Sequence, residues 1–137
     1  MSRTPKQIVR DFFRSDILED RTVMTRFIHP DIDLYWNSPI GLSIMKYSDM
    51  ANFFEEIQKS YVDLRVEISH LLSDENHITV RFKYYVRTME NPDEEMGIAH
   101  FMAIFEIKDD KIFRAYQVSQ PVTDNDDTNV SYRRVKV

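Results

Sequence analysis

The feature that most constrains this chain is a change of period near Val62. Before it, apolar residues recur at three- and four-residue spacing in short groups. After it, apolar and polar residues alternate nearly to Gln120. The first pattern gathers side chains onto one stripe of a helix, and the second sends them to opposite faces of a strand. Helices first and strands afterwards give an α+β domain rather than alternating βαβ units. A chain of 137 residues suits one such domain with a substantial core.

The strand half carries its own register. Val62, Leu64, Val66, Ile68, His70 and Leu72 share one predicted face, and Ile78, Val80, Phe82, Tyr84 and Val86 share another. Setting Ile68 opposite Phe82 aligns the two apolar sets, and it also opposes Glu67 to Lys83 and Asp63 to Arg87. Opposite charges across a ladder favour that register, and a one-residue slip would reverse every face. Two further strands, 97–107 and 111–120, meet at a turn of Asp109 and Asp110. An unbulged two-residue turn opposes His100 to Ser119, Met102 to Gln117 and Ile104 to Ala115. Those residues then share a face, predicted to be the pocket wall. The other face is also apolar, and a wide apolar surface left in water is costly. It is therefore expected to hold a second copy of the chain.

The helical half has clear punctuation. Thr4-Pro5-Lys6-Gln7 is a helix start with a cap, a proline at the first position and a capping-box partner. Ile8, Val9, Phe12, Phe13 and Ile17 form its stripe. Asp20 is the expected cap of a second short helix through Val23, Met24, Phe27 and Ile28, stopped by His29-Pro30. Ile32, Leu34 and Trp36 read as a strand. A third helix is expected from Ser48, with Met50, Phe53, Phe54, Ile57 and Tyr61 along one side.

Composition narrows the chemistry. There is no cysteine, which removes disulfides, thiolate metal sites and cysteine nucleophiles. No apolar run approaches the ~20 residues of a membrane span, and Met1 to Gln7 lacks the apolar core of a signal peptide; a cytoplasmic setting is expected. The net charge is −5 with scattered basic residues, so no nucleic-acid partner is expected. Arg133-Arg134-Val135-Lys136 alone resembles a basic cluster and reads as a solvated tail. The polar, acidic run after Pro121 places the domain at 1–120 and a flexible tail at 121–137. Gly-rich phosphate loops are absent, and no cofactor is expected. His29, His70, His77 and His100 lack metal-ligand spacing, so no metal is expected either.

Phe27-Ile28-His29-Pro30-Asp31-Ile32 before the first strand, and Phe105-Glu106-Ile107-Lys108-Asp109-Asp110-Lys111-Ile112 at the last hairpin, resemble the nuclear transport factor 2-like group. Asp110 stands where that family usually has glycine. The resemblance covers Thr4 to about Gln120. It implies a cone of about three N-terminal helices on a curved, mixed but mainly antiparallel sheet, with a pocket between the layers and dimers formed through the sheet's outer face. Ketosteroid isomerase, one member, needs a tyrosine, a general-base aspartate and a protonated aspartate. The matching positions hold Phe12, Trp36 or Asn37, and Met102, so the resemblance implies that this chemistry is missing. The Asp-Arg-Asp arrangement of limonene epoxide hydrolase has no match either.

The candidate site follows. His100 is the tentative acid–base group, able to polarise or orient a ligand beside Ser119 and Gln117; a buried histidine merely satisfied by Ser119 is the plainer alternative. Glu106 is a lesser ionisable candidate beside the turn. No triad or nucleophile elbow surrounds Ser119. Trp36 either stacks on a planar ligand or plugs the core. Phe12, Trp36, Asn37, Tyr84, Met102, Gln117 and Ser119 are the expected lining. The function expected is a SnoaL-like pocket protein for a small, mostly apolar or amphipathic molecule. An enzyme of cyclase, isomerase or dehydratase type using His100 is the alternative, and a non-catalytic dimerising domain is a further one.

Overall fold

Thr4 starts the first helix with both halves of a capping box. Its hydroxyl accepts from the Gln7 backbone N–H at 3.2 Å, and its own N–H donates to the Gln7 side chain at 2.9 Å. Two orphan donors at the helix end are thereby satisfied. Ile8, Val9, Phe12 and Phe13 form the buried stripe.

The structure, a computed structural model, describes residues 3–122. Helix α1 (Pro5–Arg14) and helix α2 (Val23–Phe27) lead into β1 (Ile28–Ser38) and β2 (Gly41–Met45). Helix α3 (Tyr47–Ser60) follows, then β3 (Tyr61–Asp74), β4 (His77–Thr88), β5 (Met96–Lys108) and β6 (Lys111–Pro121). Two helices thus precede the sheet, and the third comes after its first hairpin. Of the tail expected at 121–137, Pro121 is the last residue of β6, and residues 123–137 lie outside the described residues.

Two local expectations are corrected. The cap of α2 is Thr22 rather than Asp20. Asp20 instead accepts from the Thr22 N–H at 2.8 Å and pairs with Arg26, so it braces the turn before the helix. β1 begins at Ile28, inside the stretch expected to finish the helix, and a register irregularity between Ile28 and Asp33 accommodates Pro30. Proline is tolerated in a strand at such a break, where no ladder N–H is required.

The six strands form one sheet in the order β2-β1-β6-β5-β4-β3. Only the β1–β6 pairing is parallel. It brings the first strand beside the last, so most of the chain lies between the partners and the sheet is mixed but mainly antiparallel.

The β3–β4 register is the one the charges specify: Asp63 opposes Arg87, Glu67 opposes Lys83 and Ile68 opposes Phe82. A bulge at Ser69 then shifts the pairing by one, so that His70 opposes Arg81. Leu71 turns inward and is buried, while His70 and Leu72 are exposed. The expectation that His70 and Leu72 continue the inner face is corrected by that one extra residue.

The same device acts at the last hairpin. Asp109 and Asp110 form the expected two-residue turn, both left-handed with φ of 55° and 60°, and Lys108 opposes Lys111. Ile107 opposes Ile112, but Glu106 opposes Arg114, which leaves Phe113 as a bulge. Beyond it His100 opposes Gln120, Phe101 opposes Ser119, Met102 opposes Val118 and Ala103 opposes Gln117. The expected pairs of His100 with Ser119, Met102 with Gln117 and Ile104 with Ala115 are each off by one residue.

The inner face is continuous with the core. Ile32 and Leu34 of β1, Ile78, Val80 and Phe82 of β4, Ala103 and Phe105 of β5, and Ala115 of β6 are buried with the stripe of α1. Phe13 packs on Phe82 at 4.6 Å between ring centroids and on Phe105 at 6.0 Å.

Candidate functional site

A cavity of about 290 Å³ lies between α1, α3 and the inner face of the sheet. Its existence follows from how α3 sits. The stripe Met50, Phe53, Phe54 and Ile57 faces the sheet, yet only Met50 is buried and Phe53 remains 39% exposed. Elsewhere helix and sheet close on each other; here aromatic side chains wall a space instead of filling it.

Phe12 and Phe13 of α1, Ile17 of the turn after it, Trp36 of β1, Tyr84 of β4, Phe101 and Phe105 of β5, and Ala115 and Gln117 of β6 line the interior. The rings form a connected wall. Phe82 and Phe101 stack at 4.8 Å, Tyr84 meets Phe101 edge-on at 5.7 Å, and Trp36 lies 6.4 Å from Phe101. Trp36 also meets Phe53 of α3 edge-on at 5.6 Å. Such edge and offset contacts stabilise the rings beyond their buried area.

Polar groups are few. The indole N–H of Trp36 donates to the Ser119 hydroxyl at 2.8 Å, which holds the ring plane against the cavity. Gln117 stands beside Trp36 in the parallel register. Among the described residues the Tyr84 hydroxyl and the Gln117 carboxamide make no hydrogen bond to another protein group. Burial pushes the Tyr84 phenol well above its ordinary pKa, because a phenolate would lose its hydration there. Tyr84 is therefore a hydroxyl donor throughout the physiological range. Glu56 and Ser60, exposed on the last turns of α3, mark the mouth. No lysine, arginine or histidine lines the cavity among the described residues, and Glu56, Tyr61 and Tyr84 are its ionisable groups.

The structure therefore brings together Phe12, Trp36, Tyr84 and Gln117 from the expected lining, with Ser119 behind Trp36. It separates the others. Asn37 pairs with Leu42 and Val118 on the outer face of the sheet. Met102 is 53% exposed there. His100 pairs with Lys83 and Gln120 on that same outer side, away from the cavity. Glu106 lies near His77 at 3.8 Å, outside as well. The bulge at Phe113 is the cause. With β6 held in place, one added residue reverses which β5 side chains share its face. Phe101, Ala103 and Phe105 take the inner positions assigned to His100, Met102 and Ile104.

Several lining residues were assigned no site role from sequence, although the signal was present. The α3 stripe was read as packing, and it is the cavity's roof. Among the described residues no group of three or more histidines, acids or cysteines is placed to hold a metal. No helix among them is long and apolar enough to cross a membrane.

The outer face has its own pattern. Ile44, Tyr35, Tyr116 and Ile104 form one cross-strand row, with the Tyr35 and Tyr116 rings stacked at 5.3 Å. Leu42, Asn37, Val118 and Met102 form the next. Leu42 is 57% and Val118 51% exposed.

Known proteins share this fold. No curated protein matches the chain in sequence. Among solved structures, AclR from Streptomyces galilaeus, a proposed hydroxylase, superposes with a TM-score of 0.70 at 16% identity, over 84% of this chain and 77% of that one. IdmH from Streptomyces antibioticus, a proposed polyketide cyclase, gives 0.69 at 11% identity over 96% and 97%. An LEH-like epoxide hydrolase of M. tuberculosis gives 0.66 at 16% identity over 96% and 90%. These likenesses establish the nuclear transport factor 2-like fold. The model of the SnoaL-like domain matches residues 9–115, most of the chain. The chain belongs to the SnoaL-like domain family.

Proposed function

We propose that this SnoaL-like protein binds a small, mostly apolar molecule in the cavity beneath α3. One observation carries the reading: an aromatic wall encloses open space with almost no charge facing it. Open apolar volume inside a core loses van der Waals contacts, and a ligand of matching shape restores them. The fold likeness to IdmH, a proposed polyketide cyclase, accords with a small-molecule pocket. His100 takes no part in this reading, because its ring stands on the far side of the sheet.

The test is a crystal structure of protein purified from its own host. The expected result is density for a small molecule between Trp36, Phe101 and Tyr84. Phe53 and Phe54 folded inward to close the space would refute the proposal.

The outer face supports a homodimer. Its two apolar rows cover four strands with exposed Leu42, Ile44, Met102, Ile104, Tyr116 and Val118, and such a patch is costly to leave in water. A second copy presents the same rows and suits a two-fold interface. Light scattering at micromolar concentration should give twice the chain mass; a monomer would exclude this assembly.

A further inference from the structure

We infer that Tyr84 and Gln117 are two separate hydrogen-bonding anchors for an uncharged, ring-bearing ligand with an oxygen function toward each end. The inference rests on the pocket reading above and adds the chemistry of the occupant.

Three observations lead to it. First, the two side chains line the cavity and neither bonds to protein among the described residues. Buried polar groups are nearly always satisfied, and leaving one unpaired costs about 1–3 kcal/mol. Trp36, a further polar ring on the wall, differs because Ser119 already takes its N–H, and Tyr61 directly follows Ser60 at the mouth. Away from the mouth, Tyr84 and Gln117 are thus the polar side chains of the lining left without a protein partner among the described residues.

Second, the anchors are apart. Tyr84 lies opposite Ala99 and Gln117 opposite Ala103, with Phe101 between those alanines on β5. Strand geometry puts their backbones roughly 16 Å apart. One small oxygen cannot meet both. A flat molecule lying over the stacked Phe101 and Phe82 pair can, with a polar atom at each end.

Third, charge is unwelcome. No cation lines the interior among the described residues, and the carboxylate of Glu56 stands at the mouth. An anionic end would enter unpaired past a like charge, and burying an unpaired charge is far costlier than burying a hydroxyl. Tyr84 donates or accepts through its hydroxyl, and Gln117 does both through its amide. Carbonyls and hydroxyls suit them; carboxylates and phosphates do not.

The experiment uses three probes of one shape: biphenyl, a biphenyl diol with a hydroxyl at each far end, and the matching dicarboxylate. Binding is read by calorimetry and by emission from Trp36, the single tryptophan of the chain. Tyr84→Phe and Gln117→Leu preserve the shape of the wall, and thermal melts of both variants confirm folding. Each variant should weaken the diol about 5- to 10-fold while leaving biphenyl within about twofold. The dicarboxylate should bind the native protein at least about 100-fold more weakly than the diol. Equal effects on diol and biphenyl, or no effect on either, would overturn the anchors while leaving the pocket. A dicarboxylate binding as well as the diol would overturn the requirement for an uncharged ligand. No binding by any probe would overturn the pocket reading and this inference with it.

Discussion

Asp110 shows how much one residue can hold against its own preference. It sits with φ of 60° beside Asp109 at 55°, in a left-handed pair that closes the β5–β6 hairpin. Side chains with a Cβ pay for that region, and glycine does not. Asp110→Gly should raise stability by about 0.5–1 kcal/mol, read as a higher urea midpoint at unchanged slope. Tyr84 gives a prediction in pH. Burial holds its phenol above the ordinary value of 10.0, so the folded protein keeps a proton that the unfolded chain releases. Stability from this group is complete below pH 10.0 and declines as pH rises beyond it. Urea unfolding at about pH 9 and pH 11 should show a smaller alkaline loss in Tyr84→Phe than in the native protein.

At the scale of elements, the bulges decide what the sheet presents. Phe113 is the extra residue between Ile112 and Arg114, and because of it Ile112 and Ala115 both face inward. Deleting Phe113 forces either the turn or the inner wall out of register, and should destabilise the fold by more than about 3 kcal/mol, seen as a broad, early thermal transition. Thr4→Ala removes one half of the capping box and should cost about 1 kcal/mol by the same measurement. These elements also mark what the sequence discloses. The capping box was legible because its chemistry is local. The β3–β4 register was legible because apolar alternation and two opposed charge pairs agree on it. The bulges at Ser69 and Phe113 were not. In Ile112-Phe113-Arg114-Ala115 both parities carry apolar side chains, so counting back from the turn keeps a register that the core then shifts. The site was legible to the same degree: Trp36 and Tyr84 depend on local parity, whereas His100, Met102 and Gln117 were placed by the long-range pairing, and of those three Gln117 lines the cavity.

At the scale of the whole molecule, one sheet serves two purposes through its two faces. Inward, aromatic side chains frame a cavity under α3; outward, two apolar rows cross β2, β1, β6 and β5. If the rows join two copies, Tyr116→Glu places a charge at the centre of that interface. It should yield a folded monomer by light scattering, with far-ultraviolet dichroism unchanged, because Tyr116 contributes no part of the core. The cavity is the central claim, and ligand-linked thermal stability tests it most directly. A molecule that binds only the folded state stabilises it by about 2.7 kcal/mol at a hundredfold excess over its dissociation constant. Melting the protein over a biphenyl series should give a Tm that climbs with probe concentration and saturable, one-to-one quenching of Trp36. A Tm and an emission spectrum that stay unchanged up to the solubility limit of the probe would contradict the account.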